Sequence, residues 1–350
     1  MVTIKEVAQK AGVSIATVSY VINKSRRVNP ETARRIRQAI QELNYHPSRI
    51  AQSLVTKNTQ VLSVLISDIA DPFFAPIVRG IEDVAVKAGY IVMVCNNDED
   101  SLKTKRYLEI LSRHRVDGVI ISPTSGIEDF KTSLEEMGVP LVFVNRRSSI
   151  MTADVVESDN KLGAYLAIRH LLDLGHTKIA VIMGSTSVTT YADRLDGCYQ
   201  ALDEAGITVN PNLIKTGGLH SDSGYRSALE LFQTTEKPTA LFVGSGILNR
   251  GAFRALQEMN IRIPEQLSLI AFDDTEWAHL VTPPLTTILQ DTYSMGQVAA
   301  QILLERIEKR PDSFWPEDGQ PIPEEKTFQY IKLEPKLVIR SSTKPFRLGD

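Results

Sequence analysis

From Val61 onward the chain alternates short apolar runs with amphipathic stretches: VLSVLI, YIVMVC, GVIIS and PLVFV in one set, IAVIMG, ALFVG and LSLIAF in a second. Apolar runs of this length, with scarcely a polar interruption, are what strands covered on both faces look like. Helical stretches between them imply parallel sheets with helices on either side. Gly89, Gly138, Gly175 and Gly206 fall just past the expected helix ends, where a left-handed cap is needed. Two such sets imply a pair of doubly wound α/β lobes with a cleft where their strand ends face each other.

Length and composition narrow the function. At 350 residues with 43% hydrophobic content, two or three folded units are expected. No apolar run reaches about 18 residues, and Lys5, Glu6, Gln9 and Lys10 interrupt the N-terminus at once, so a soluble, cytoplasmic protein with no membrane partner is expected. The two cysteines, Cys95 and Cys198, are far apart and support neither a disulfide framework nor a metal site. Asp273-Asp274 and His176 are the catalytic candidates. No GxGxxG, Walker loop or nucleophile elbow accompanies them, so neither enzymatic activity nor a cofactor is expected. Asp274 reads as structural, and His176 as a turn residue for which capping suffices.

The net charge of -3 conceals an asymmetry. Residues 1 to 60 hold ten Lys or Arg against three Glu, a charge of +7, which leaves -10 on the rest. A basic head on an acidic body suits a protein that turns one end toward phosphates; a solvated basic surface with no partner is the alternative.

Within the head, Thr3-Ile4-Lys5-Glu6 is a capping box opening a helix to about Ala11. Gly12 permits a tight turn, and Ser14 caps a second helix that buries Val18, Val21 and Ile22. Asn29-Pro30 opens a third, with apolar Ala33, Ile36, Ile40 and Leu43. Three short helices with this turn read as a helix-turn-helix unit.

The run VTIKEVAQKAGVSIATVSYVINKSRRVNPETARRIRQAIQELNYHPSRIAQSL, from Val2 to Leu54, resembles the head of the LacI/GalR repressor family over more than fifty residues. The resemblance implies that Ser14 to Asn23 is a recognition helix in the major groove of double-stranded operator DNA. Ile15, Ala16 and Tyr20 then stand at operator-selecting positions, with Thr3, Ser14, Thr17, Asn23 and Tyr45 as further phosphate or base contacts. Inward packing is the alternative for Ile15. Arg26, Arg27, Arg34 and Arg35 suit backbone contacts or solvated surface. Residues 47–58 become a hinge helix that folds when two copies meet in the minor groove, with Leu54 as an apolar wedge and Ala51 near the groove floor. A plain linker is the alternative there.

The body resembles the effector-binding core of the same family, with the type I periplasmic-binding-protein fold. The likeness rests on SDIADPFF at 67–74, Asp159-Asn160, LGHTKIAVIMG, ADRLDG at 192–197 and AFDDTEWAHLVTPPLTTI at 271–288. It implies a cleft lined by Asp71, Phe73, Phe74, Asn145, Arg194, Leu219, Ser245, Asp273 and Gln290. A guanidinium fork at Arg194 and a carboxylate at Asp273 suit adjacent hydroxyls of a sugar or related metabolite; an interlobe salt bridge is the alternative. Ser245-Gly246, Leu219 and Asn145 replace the Asn-Asp, aromatic and Asp of many sugar-binding members. Fewer charged groups and a missing stacking ring weaken the inference to a simple sugar.

The expected organisation is therefore an all-α helix-turn-helix head over 1–46, a hinge over 47–58 and a two-lobed α/β body over 59–350. The lobes are expected at 59–160 with 291–325, and 161–290 with 326–340. Pro311, Pro316, Pro321 and Pro323 mark an extended exposed loop at 310–325. No leucine heptads follow Ile339, so a homodimer is expected. The expected function is a transcriptional regulator under allosteric control; a solute-binding receptor on the same two-lobed fold is the rival.

Overall fold

The computed structural model describes residues 2–23, 26–45, 58–124, 126–148, 151, 153–233, 237–309 and 328–346. The hinge, with Ala51 and Leu54, and the 310–325 loop lie outside the described residues.

In the head, α1 (Ile4–Ala11), α2 (Ile15–Asn23) and α3 (Pro30–Glu42) follow the sequence signals. The Glu6 carboxylate accepts from the Thr3 backbone N–H at 2.7 Å and from the Thr3 hydroxyl at 2.9 Å. Gly12 takes φ of +66°, and the Ser14 hydroxyl oxygen accepts from Thr17 N–H at 3.2 Å. Asn29 accepts from Glu31 N–H at 2.9 Å, ahead of Pro30. Val7, Val18 and Ile36 are fully buried, with Ala8, Ala11 and Ala39 between them. Each large side chain so buried contributes about 1.5–3 kcal/mol, the main stabilisation a module this small has.

Among the described residues the body contains two six-stranded sheets. The first lobe is built on β1 (Val61–Ile66), β2 (Ile91–Asn96), β3 (Gly118–Ile121), β4 (Leu141–Val144), β5 (Asp154–Ser158) and β11 (Tyr330–Leu333), in the order β11-β5-β4-β3-β1-β2, all parallel. The second uses β6 (Ile179–Met183), β7 (Ile214–Thr216), β8 (Ala240–Val243), β9 (Ser268–Phe272), β10 (Thr286–Leu289) and β12 (Lys336–Val338), in the order β12-β10-β9-β8-β6-β7. Only β12 runs antiparallel to its neighbour.

The helices are α4 (Phe74–Lys87), α5 (Ser101–His114), α6 (Lys131–Glu136), α7 (Asn160–Asp173), α8 (Thr189–Glu204), α9 (Ser221–Gln233), α10 (Gly246–Glu258), α11 (Glu276–Leu280) and α12 (Thr292–Glu308). As expected, α12 returns to the first lobe, packing on α4 and on β3, β4 and β5. The crossing of α4 and α12 is close because both contribute glycine. A Cβ on Gly80 would collide with the Tyr293 carbonyl oxygen, and one on Gly296 with that of Ile77.

One expected boundary needs correction. Residues 326–340 do not all belong to the second lobe: Tyr330–Leu333 pairs with β5 in the first sheet, and only Lys336–Val338 joins the second. The chain therefore crosses between lobes a last time at Glu334-Pro335. Both strands are short edge strands with mixed polarity, so neither shows an apolar run to mark its sheet. His176 also does more than cap a turn. Its ring is buried, with Nδ1 3.0 Å from the Thr239 hydroxyl and Nε2 3.0 Å from both the Ser268 hydroxyl and the Lys344 carbonyl. It ties the C-terminal segment to the second lobe. Asp274 is structural as expected, held by both Arg340 Nη atoms at 2.7 and 2.9 Å.

Candidate functional site

Parallel strands place the residues after their carboxyl ends on one side of the sheet, and the two lobes turn those sides toward each other. β1 leads into Ser67 and Asp68, β2 into Asp98 and Glu99, and β4 into Asn145 and Arg146. In the second lobe β8 leads into Ser245 and β9 into Asp273. All of these line a cleft of about 680 Å³, its open mouth included, together with Asp71, Phe73, Phe74, Tyr191, Arg194 and Leu219. Asn145 and Asp273 occupy equivalent places. Each sits just past a central strand with positive φ, +68° and +76°, and each donates its N–H to a neighbouring strand, to Val156 and Ile288 respectively. Asn and Asp tolerate this left-handed conformation better than most residues.

Arg194 projects from α8 and is nearly fully buried. Its Nε donates to the Asn160 side chain at 2.9 Å and its Nη1 to the Gly244 carbonyl at 2.7 Å. The guanidinium carbon lies 3.6 Å from the Phe272 ring centroid. Burial lowers its pKa, and Asp273 opposes that shift. Arg194 and Asp273 belong to the same lobe and form no ion pair among the described residues, so the salt-bridge alternative does not hold. Asp273 instead accepts from Gln290 Nε2 at 2.5 Å and from Gly246 N–H at 2.9 Å. Gln290 is buried behind Asp273 rather than lining the cleft as expected. Its place on the strand end is right, but its amide is used to orient the carboxylate.

The first-lobe wall is acidic. Asp71 accepts from Phe73 N–H at 3.0 Å, yet burial raises its carboxyl to about 6 against that bond, with Asp273 and Asp68 adding to the rise. Arg146 donates to Glu99 at 2.6 Å and to the Pro123 carbonyl. Sequence reasoning missed Asp68, Glu99, Arg146 and Tyr191; Asp98-Glu99-Asp100 and Arg146-Arg147 were the available signals, both just past a strand. Beside the cleft, Arg147 of the first lobe reaches Asp193 of α8 through both Nη atoms, at 2.6 and 2.8 Å, and Glu157 at 2.8 Å. The Glu157 carboxylate also accepts from Tyr330 Oη at 2.5 Å.

On the head, Ile15 is 47% exposed, so it does not pack inward. Ala16 is also exposed, and Tyr20 is half-buried with Arg26 5.4 Å from its ring centroid. Ser14 and Thr17 share a hydrogen bond at 2.8 Å, and Asn23 donates to Ser19 at 3.1 Å. Thr3 belongs to the capping box, and Tyr45 packs against the head core. Among the described residues no group of three or more metal-ligating side chains occurs, and no helix is long and apolar enough to cross a membrane.

Comparison with known proteins gives a consistent result. Residues 3–48 match the model for bacterial regulatory proteins of the lacI family, and residues 168–343 match a periplasmic binding protein-like domain. A relative named HTH-type transcriptional repressor PurR, from Haemophilus influenzae, is 36% identical over 345 residues, 98% of this chain and 99% of its own length. The protein of the same name from Aliivibrio salmonicida is 38% identical over 311 residues, covering 89% and 93%. Among solved structures, a lac repressor dimer bound to operator and the anti-inducer ONPF is similar with a TM-score of 0.80 at 28% identity, covering 98% of this chain and 99% of that one. A complex of the transcriptional regulator CelR with cellobiose is similar at 0.72 and 29%, covering 98% and 100%. A helix-turn-helix head followed by two α/β lobes, aligned with these relatives over nearly its whole length, makes the chain a member of the lacI family of bacterial regulatory proteins.

Proposed function

We propose that this protein is a cytoplasmic, sequence-specific transcriptional repressor, not an enzyme, that binds a palindromic operator as a homodimer and is controlled by a polyhydroxylated effector in the interlobe cleft. The observation that carries the reading is that a recognition helix with an exposed face and a cleft with an unspent guanidinium edge occur on one chain aligned throughout with repressors. In the head, short side chains and one tyrosine suffice, because base edges in the major groove offer distinct donors, acceptors and the thymine methyl. Ile15 and Ala16 suit methyl contacts, Tyr20 and Asn23 polar ones, and Ser14, Thr17, Thr3 and Tyr45 the sugar-phosphate backbone. Ala51 and Leu54 of the hinge are assigned to the minor groove.

In the body, Arg194 Nη2 has no partner among the described residues and Asp273 is oriented by two donors, so adjacent hydroxyls could bond both. Asn145, Ser245, Phe73, Phe74, Leu219 and Asp71 complete the contact surface, with Gln290 acting through Asp273. Effector binding changes operator affinity only by its difference in affinity for the two arrangements of the lobes.

The test is the operator affinity of wild-type protein and Arg194→Ala, read by fluorescence anisotropy with and without the effector. Wild type should respond, and the variant should bind DNA without responding. An unaltered response in the variant would remove the cleft from the account.

A further inference from the structure

We propose that the effector is an amine-bearing polyol of the amino-sugar class, whose ammonium group is held by Asp71 on the first-lobe wall. The inference rests on the reading of the cleft as the effector site, and it follows from which hydrogen-bonding atoms the protein leaves unpaired. Asp68 accepts from Ala70 N–H through Oδ1 at 2.8 Å, and Asp71 from Phe73 N–H through Oδ1 at 3.0 Å. Glu99 accepts from Arg146 through Oε1 at 2.6 Å. The second oxygen of each has no donor among the described residues, and Glu99 Oε2 is buried in that state. Three unpaired carboxylate oxygens on one wall call for donors, not acceptors. A hydroxyl supplies one donor and brings acceptor lone pairs with it; an ammonium supplies three donors and no acceptor.

Charge points the same way. Among the described residues, five carboxylates and two guanidiniums line the cleft. Glu99 is paired with Arg146, and Asp98 with Lys103 from outside the lining. Asp68, Asp71 and Asp273 then stand against Arg194 alone. Arg194 is turned to the Asn160 side chain and the Gly244 carbonyl. In a partly desolvated cleft, an excess of two negative charges repels an anion and attracts a cation far more strongly than it would in water. Burial, with the nearby Asp273 and Asp68, holds the Asp71 carboxyl at about 6 against the opposing pull of Arg146 and the Phe73 N–H. The hydroxyls of the same ligand are left for Arg194 Nη2 and Asp273 on the opposite wall.

The experiment uses the full chain at pH 7.5, with isothermal titration and thermal shift against four matched series: the free hexose, the hexosamine, the N-acetylhexosamine and the uronic acid, in the gluco, galacto and manno configurations. The N-acetyl compound keeps the nitrogen and removes its charge. In at least one configuration the hexosamine should bind at least tenfold tighter than its three counterparts. Asp71→Asn should erase that advantage, bringing the hexosamine level with its N-acetyl counterpart. The variant removes a charge that burial disfavours, and its ligand-free melting temperature at pH 7.5 should be no lower than wild type. A neutral or acidic member binding best would overturn the proposal and leave the effector reading standing. So would an amine preference that survives Asp71→Asn. Failure of all four series to bind would overturn both.

Discussion

Arg194 shows how a buried charge can be held ready without being neutralised. Two bonds to neutral acceptors and an aromatic face satisfy part of the guanidinium, and no carboxylate is within ion-pair distance of it among the described residues. Arg194→Lys keeps the charge but loses the planar fork and its stacking; effector affinity measured by titration should fall roughly 30-fold or more, for a loss of about 2–3 kcal/mol. Asp71 gives a pH signature. Its folded-state value of about 6 lies above the ordinary 3.8, so between these limits the folded protein holds a proton that the unfolded chain releases. Stability of the ligand-free protein should therefore fall as pH rises from about 4 to about 6. Melting temperatures across that window should show the slope in wild type and a flatter one in Asp71→Asn. Much of the cleft was legible at this scale: Asp71, Phe73, Phe74, Asn145, Arg194, Leu219, Ser245 and Asp273 all line it. Arg146 and Glu99 were not, because short charged runs past a strand are their one local mark, and the ion pair that brings them together spans 47 positions.

At the scale of elements, the fold depends on close helix crossings. Gly80→Ala forces a methyl group against the Tyr293 backbone oxygen, which cannot move without shifting α12. Overpacking of this kind costs about 1–3 kcal/mol, which in a body of this size lowers the melting temperature by roughly 2–4 °C per kcal/mol. An unchanged melting temperature would show that α12 packs more loosely than described. Strands that are apolar throughout, such as Ile179–Met183 and Ala240–Val243, announced themselves in the sequence. Asp154–Ser158 did not, since its Asp154 and Glu157 are buried yet used in ion pairs with Arg306 and Arg147, which disguises a core strand as polar. The short strands at Ile214–Thr216, Tyr330–Leu333 and Lys336–Val338 escaped notice for a different reason. They are held by pairing with a neighbour, a long-range contact that periodicity does not register.

At the scale of the whole molecule, Arg147 joins the two lobes beside the cleft through Asp193, while Glu157 holds it from within the first lobe. Asp193→Asn breaks the interlobe half of this group, and a bidentate, partly buried pair of this kind contributes about 1–2 kcal/mol. If the joined arrangement is the one that holds ligand, effector affinity should fall about 5- to 30-fold, read by titration, while unchanged affinity would mean that the latch plays no part in ligand capture. The +7 head and -10 remainder also predict operator binding that weakens steeply with salt. The most direct measurement is selection of bound duplexes from a random pool by the purified protein at moderate salt, with and without its effector. The account predicts enrichment of a palindromic site, two half-sites related by the dimer's two-fold axis, with an affinity that the effector alters. Recovery of no sequence above the random background, in either condition, would contradict it.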